Sequence, residues 1–170
     1  TNNAGCISTA TAKQVIVNTN PAASISSNGP LTFCQGGSVI LTASGGSSYL
    51  WSTGATTSSI TVSTSGSYNV VATSAAGCKG TSATTMVTVN PNPTANISAN
   101  GPTTFCQGGS VTLTASPGSS YLWSTAATTQ STTVSTSGNY TVRVTNAIGC
   151  QTTSAATTVT VNPSSIPTIT

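Results

Sequence analysis

Short strings in which apolar and small polar residues alternate recur along the chain, each closed by a turn rich in glycine, proline or asparagine. Val39, Leu41 and Ala43 fall on one face of a strand that starts at Ser38, leaving Ile40 and Thr42 on the other. Tyr49 and Trp51 share a side of the next strand. Ile60-Thr61-Val62 predicts a further strand, and Thr64 to Val70 leads into another. A hairpin at Ala75-Ala76-Gly77 returns through Thr85-Met86-Val87-Thr88-Val89, with Val87 and Val89 facing inward. Upstream, a short extended stretch around Ile25 ends at the turn Asn28-Gly29-Pro30, and Cys34-Gln35-Gly36-Gly37 forms a second turn. No segment has helical period. The pattern predicts about seven short strands packed as an antiparallel sandwich.

The same pattern is then written again. Residues 18–89 align with residues 90–161 without a gap at a spacing of 72, with 52 of 72 positions identical. Val111, Leu113 and Ala115 reproduce the inward face, while Thr112 replaces Ile40, which marks that position as the wet side. Thr1 to Cys6 aligns with Thr73 to Cys78, so Val15 and Val17 are expected inward like Val87 and Val89. Such a period is the signature of a repeat architecture. Residues 1–18 read as the C-terminal strands of a preceding repeat, 19–90 and 91–162 as two full repeats, and 163–170 as the first strand of a following one. A window cut from a longer tandem array is expected.

Composition changes the picture mainly by what it removes. The chain has no Asp, Glu or His, and its only charged side chains are Lys13, Lys79 and Arg143, for a net charge of +3. General acid/base catalysis and activated Ser or Cys nucleophiles draw on His or carboxylates, so no enzyme is expected. Calcium sites built on carboxylates have no ligands, and five widely spaced cysteines offer no zinc site, so no metal or cofactor is expected. Three isolated cations make no nucleic-acid footprint. No apolar run approaches the ~20 residues of a spanning helix. The 36 Thr and 28 Ser could signal disorder, but the fixed recurrence of apolar positions argues for a folded chain.

With these residues in place a family resemblance appears. The order Gly-x-Val-x-Leu-x-Ala (Gly37 to Ala43), then Trp51, then Gly-x-Tyr-x-Val (Gly66 to Val70) resembles strands B, C and F of immunoglobulin-type domains, and Gly109 to Ala115, Trp123 and Gly138 to Val142 repeat it. The resemblance implies core roles for Trp51 and Trp123, with Tyr68 and Tyr140 at a tyrosine corner. Ala43 and Val70 stand where the usual inter-sheet cysteines would be. The wording Phe-Cys-Gln-Gly-Gly-Ser-Val, Tyr-Leu-Trp-Ser-Thr, Gly-Cys and Val-Thr-Val-Asn-Pro is also similar to the tandem Ig-like modules of large surface and gliding-associated adhesins of Bacteroidota. The fold class implied is all-β, a tandem of immunoglobulin-like antiparallel β-sandwich modules, on a bacterial cell surface.

Under the immunoglobulin reading, Cys34 and Cys78 sit at opposite poles of one module, too far apart for the roughly 7 Å that a disulfide needs. The resemblance then implies an inter-module bridge from Cys34 to Cys150, with Cys6, Cys78 and Cys106 paired to modules outside the window. Cys34 with Cys78 stays open as the alternative. Leu50, Val71 and Leu122 are expected to face outward on strands C and F and to be contacts between identical chains in a filament.

Other features have bland counterparts. Trp and Tyr could stack on glycans, but their spacing fits core positions better. Asn96-Ile97-Ser98 and Asn139-Tyr140-Thr141 match a glycosylation pattern that short sequences often carry by chance. The Thr-x-Thr runs resemble ice-binding surfaces, though ordinary solvent-facing strand residues explain them. Lys79 beside Cys78 could activate a thiolate, whereas a repeated cysteine set more often means disulfides. Two functions remain. The first is a structural extracellular stalk whose partners are neighbouring repeats, and the second is an adhesive module for glycans or another surface ligand.

Overall fold

The computed structural model describes residues 11–164, and every regular element among them is a β-strand. Contact density divides the chain into two compact units. Unit one takes the chain through Gly29 together with Val39–Val62 and Gly66–Val87; unit two takes Pro30–Ser38, Ser63–Ser65 and the chain from Thr88 on.

Unit one contains β1 (Ser24–Ser27), β3 (Val39–Ser44) and β5 (Ser59–Val62), an antiparallel sheet in the order β1-β3-β5. It also contains β4 (Ser48–Trp51), β7 (Val70–Thr73) and β8 (Lys79–Thr81), in the order β4-β7-β8. β6 (Gly66–Tyr68) pairs antiparallel with the first half of β9 (Thr85–Asn90). The second half of β9 belongs to unit two, where β2 (Thr32–Cys34) runs parallel to it. The alternation of β3 gives the core directly: Val39, Leu41 and Ala43 are buried and Ile40, Thr42 and Ser44 are exposed. Trp51, Val62, Tyr68, Val70, Ala72 and Val87 complete the buried set.

Unit two holds the second copy whole. β10 (Ile97–Ala99), β12 (Val111–Ala115) and β14 (Ser131–Val134) form one antiparallel sheet. The other comprises β13 (Ser120–Trp123), β15 (Gly138–Tyr140), β16 (Val142–Thr145), β17 (Gln151–Thr153), β18 (Thr157–Asn162) and β11 (Thr104–Cys106). Its registers explain the short pieces. Gly138 faces Val159 and Tyr140 faces Thr157, but Arg143 faces Thr153, a slip of one residue across the same hairpin. The extra residue is a β-bulge. The buried Ser154 fastens it: its Oγ accepts from the Val142 N–H at 3.1 Å and donates to the Ala155 carbonyl at 2.8 Å. Ser82 does the same in the first copy.

Joined across the bulge, each copy has seven strands, three in one sheet and four in the other, one of those four being the short strand that runs parallel to the last. This is an immunoglobulin-like antiparallel sandwich, present twice. The second core is one cluster of Val111, Leu113, Ala115, Trp123, Val134, Tyr140, Val142, Val144 and Val159.

Two expectations change. Val15 and Val17 are 83% and 87% exposed, and residues 11–23 form no strand. In the later copies the equivalent residues lie on β9 and β18, which pair with β6 and β15, whereas residues 11–23 pair with no strand among the described residues. Val89 is half-buried rather than fully inward. The compact units also cut across the 72-residue limits, because Pro30–Ser38 is bonded to residues of β9 through Thr88 N–H to the Leu31 carbonyl and Gln35 N–H to the Asn90 carbonyl, both at 2.8 Å.

Candidate functional site

The residues that carry chemistry in this chain are its cysteines, and their placement starts with two turns. The first follows β2: Gly37 N–H bonds the Cys34 carbonyl at 3.0 Å, and Gly36 sits at φ +94°. A type II turn requires that left-handed conformation at its third residue, which glycine adopts without a Cβ penalty. The second turn joins β16 to β17. Asn146 Oδ1 accepts from the Ile148 and Cys150 N–H groups at 3.1 and 3.0 Å, holding the loop closed.

Within unit two these turns meet. Cys34 and Cys150 form a disulfide with an S–S distance of 2.01 Å and Cα atoms 5.6 Å apart, and Cys150 is 1% exposed. Around it, the Asn146 side-chain amide donates to the Pro91 carbonyl at 3.1 Å, and the Asn92 amide donates to the Gln35 carbonyl at 3.1 Å. The segment Asn90-Pro91-Asn92-Pro93, which leaves β9, is thus held by side-chain amides from both directions.

The remaining cysteines occupy the same two local settings. Cys106 ends β11, with Gly109 N–H on its carbonyl at 3.0 Å, Gly108 at φ +93° and Gln107 N–H on the Asn162 carbonyl at 2.9 Å. Its thiol is free and exposed. Cys78 closes the loop from Ser74, whose Oγ accepts from the Cys78 N–H at 3.2 Å. Its thiol is free and half-buried, and Sγ lies 3.8 Å from the Asn18 carbonyl, which it can approach as a weak donor. Cys6 lies outside the described residues.

The aromatic candidates are structural. Trp51 and Trp123 are buried, and each indole N–H donates to a backbone carbonyl, Thr57 and Thr129 respectively, at 2.9 Å. Tyr140 is buried and its hydroxyl donates to the Thr136 carbonyl at 2.9 Å, four residues upstream, which is the geometry of a tyrosine corner. Tyr68 is buried at the equivalent place. On the outer face Leu50 is 51% and Leu122 39% exposed, while Val71 is half-buried. Leu50 sits opposite Val71 in register, but Leu122 sits opposite Arg143, so the second copy breaks the apolar pair with a charge.

Beside each first-type turn lies a shallow recess, lined by Gln35, Ser63–Ser65, Val89, Asn90 and Pro91 (about 290 Å³) and by the seven residues 72 positions later (about 370 Å³). Both are walled by small neutral groups, without an aromatic platform or a charge. Among the described residues no cluster of three His, Cys, Asp or Glu could hold a metal, and no helix is long and apolar enough to cross a membrane.

Sequence reasoning missed the amide clamp of Asn146, Asn92 and Gln35. Its signal was the exchange of Ser74 for Asn146 in a loop that differs at one other position, Ala76 for Ile148.

No protein-family model and no curated protein sequence matches the chain. Solved structures similar to it include the three N-terminal domains of the highly immunogenic outer capsid protein of bacteriophage RB49, with 22% identity and a TM-score of 0.41. That match covers 83% of this chain and 59% of the phage chain. Murine CEACAM1b matches at 14% identity and a TM-score of 0.37, over 82% of this chain and all of its own. A 1.5-MDa bacterial ice-binding adhesin matches at 16% identity and a TM-score of 0.36, over 89% and 68% of the two chains. These likenesses are distant, and the fold assignment rests on strand order and register.

Proposed function

We propose that the chain is a segment of a structural stalk or fibre on a bacterial surface, built from immunoglobulin-like modules threaded end to end. The observation that carries this reading is the Cys34–Cys150 disulfide, which ties the first repeat to the second at a sequence separation of 116. Disulfides persist in oxidising, extracellular settings. The linker supports the same reading, because β9 passes into Asn90-Pro91-Asn92-Pro93 with no flexible Gly/Ser spacer. In the array, Cys78 and Cys6 pair with modules upstream and Cys106 with one downstream. The repeat wording that resembles Bacteroidota surface adhesins supports the bacterial assignment.

Small-angle scattering on the oxidised chain tests the stalk. An elongated particle that becomes flexible after reduction supports it, and a compact or freely jointed particle in oxidising buffer would sink it. Lateral packing into a filament through Leu50, Val71 and Leu122 belongs to the same proposal, and lateral association that survives Leu50→Lys with Leu122→Lys would remove those contacts from it. The adhesive reading draws on the two equivalent polar recesses. Selective micromolar binding on a glycan array would displace the stalk in its favour.

A further inference from the structure

The Cys34–Cys150 bond closes a covalent loop with a sequence separation of 116, and what lies inside that loop decides what tension along the chain can reach. Of the buried apolar side chains among the described residues, all but Cys150 and Val159 fall between the two cysteines. Both cores, Val159 apart, are therefore inside the loop. Outside it are the approach to Cys34, through β1 and β2, and the exit from Cys150, through β17 and β18. The exit is already extended. Strands rise about 3.3 Å per residue against a limit of about 3.6 Å for a taut chain, so residues 150–162 have almost no length left to give. Their one irregularity is the bulge at Ser154, which the Ser154 hydroxyl fastens to the Val142 N–H and the Ala155 carbonyl.

We propose that the bridge is a load-bearing link: tension passes from Cys34 across the two sulfurs to Cys150 and bypasses both cores, so that the oxidised chain is nearly inextensible. This deepens the stalk reading and rests on it. Without the bond, a pull on the chain must run through every residue between the two cysteines, and each core comes apart at its own forced-unfolding rate. With it, 116 residues, about 400 Å of taut chain, are withheld from the load. Within unit two the geometry suits that role. Force enters the β17–β18 run at Cys150 and leaves at Asn162, so it stretches the run along its own length instead of peeling it from β15 and β16. The spacing of the cysteines extends the same arrangement along an array. Cys6 and Cys34, like Cys78 and Cys106, stand 28 residues apart. The span from Cys78 to Cys106 holds β8, β9, the proline join, β10 and β11. With a bridge at every joint, such spans of terminal strands carry the load and the remaining strands hang from them unstretched.

A force clamp on the full oxidised chain, with its other thiols alkylated and handles at residues 1 and 170, tests the link. At a force that unfolds the reduced chain, the oxidised chain should show no step longer than about 40 Å, the slack left in strands that are already extended. A phosphine reductant added under load should cut the bridge and then release about 400 Å in separate, delayed steps, as cores that were still folded meet the tension for the first time. Release of that whole length at the moment of cleavage would show that the cores had come apart behind the bond, and would overturn the proposal. Non-reducing peptide mapping of the same sample separates this failure from that of the stalk reading. If Cys34–Cys150 maps, the stalk stands without the shielding of its cores. Full-length steps in the oxidised chain together with no Cys34–Cys150 peptide would bring down both.

Discussion

The two copies reach the same backbone through different local chemistry, and apart from buried Ala72, which is Val144 in the second copy, the differences lie away from the cores. At the turn after the core tryptophan, Gly54 has φ +85° and bonds the Trp51 carbonyl at 2.9 Å, while Ala126 has φ +67° and bonds Trp123 at the same distance. Glycine takes that conformation freely; alanine does so at a cost. The flanking bonds, Trp51 to Ala55 at 2.8 Å and Trp123 to Ala127 at 2.9 Å, impose the turn on whichever residue is present. A second difference lies in the hairpin. Gly80 has the Pro21 carbonyl oxygen so close that any Cβ would collide with it, whereas the second copy carries a half-buried Thr152 at the same position. The third is at the bridge, where Asn146 clamps Pro91 and Ser74 has no such arm. The sandwich is thus fixed by its inward residues, and the rims are free to vary between copies.

If the cores are equivalent, Leu41→Ala and Leu113→Ala should each destabilise their own copy by about 2–5 kcal/mol, and by similar amounts, since both leucines are fully buried. Hydrogen exchange resolved by copy would measure both, and a clear inequality would break the equivalence. A smaller effect separates the hairpins. Gly80→Thr should cost about 1–3 kcal/mol by forcing Pro21 away, whereas Thr152→Gly should cost about 0.5–1 kcal/mol through backbone entropy alone. Equal costs would mean that the close approach at Pro21 is immaterial.

These contrasts also show which parts of the structure were readable in the sequence. The faces of β3 and β12 followed from strict alternation, because a period of two leaves one choice once a face is apolar, whereas the core places of Trp51, Trp123, Tyr68 and Tyr140 came from the resemblance to immunoglobulin-type domains. The bulge at Ser82 and Ser154 was not readable, since it adds one residue inside a run of small polar residues with no period to disturb. The parallel pairing of β2 with β9 was hidden for a similar reason: three residues, Thr32 to Cys34, are too few to show a pattern. Val15 and Val17 carry the right alternation, but a strand is buried only where a neighbour pairs with it. The amide clamp was invisible because Asn and Ser look alike in a loop until the longer side chain is seen reaching Pro91.

Smaller effects sharpen the comparison further. Ala126→Gly should stabilise the second copy by about 1 kcal/mol and Gly54→Ala should destabilise the first by about as much. Urea midpoints would read both, and a loss on Ala126→Gly would show that other contacts of the methyl group outweigh the backbone strain. Smallest of all, stability of both copies should stay flat between pH 4 and 8 and be indifferent to calcium chelators. No carboxylate or histidine side chain is present to bind protons differently in the folded and unfolded chains, so the slope of stability against pH should be close to zero. A transition in that window, or a chelator effect in either copy, would point to a titrating or metal-binding group that the sequence does not contain.

The central claim is that the repeats are tied to one another through cysteines at opposite poles of successive modules. Peptide mapping under non-reducing conditions, on chain folded in an oxidising buffer with free thiols blocked before digestion, tests it most directly. The account predicts a linked peptide containing Cys34 and Cys150. A peptide linking Cys34 to Cys78, or blocked thiols at both Cys34 and Cys150, would contradict it.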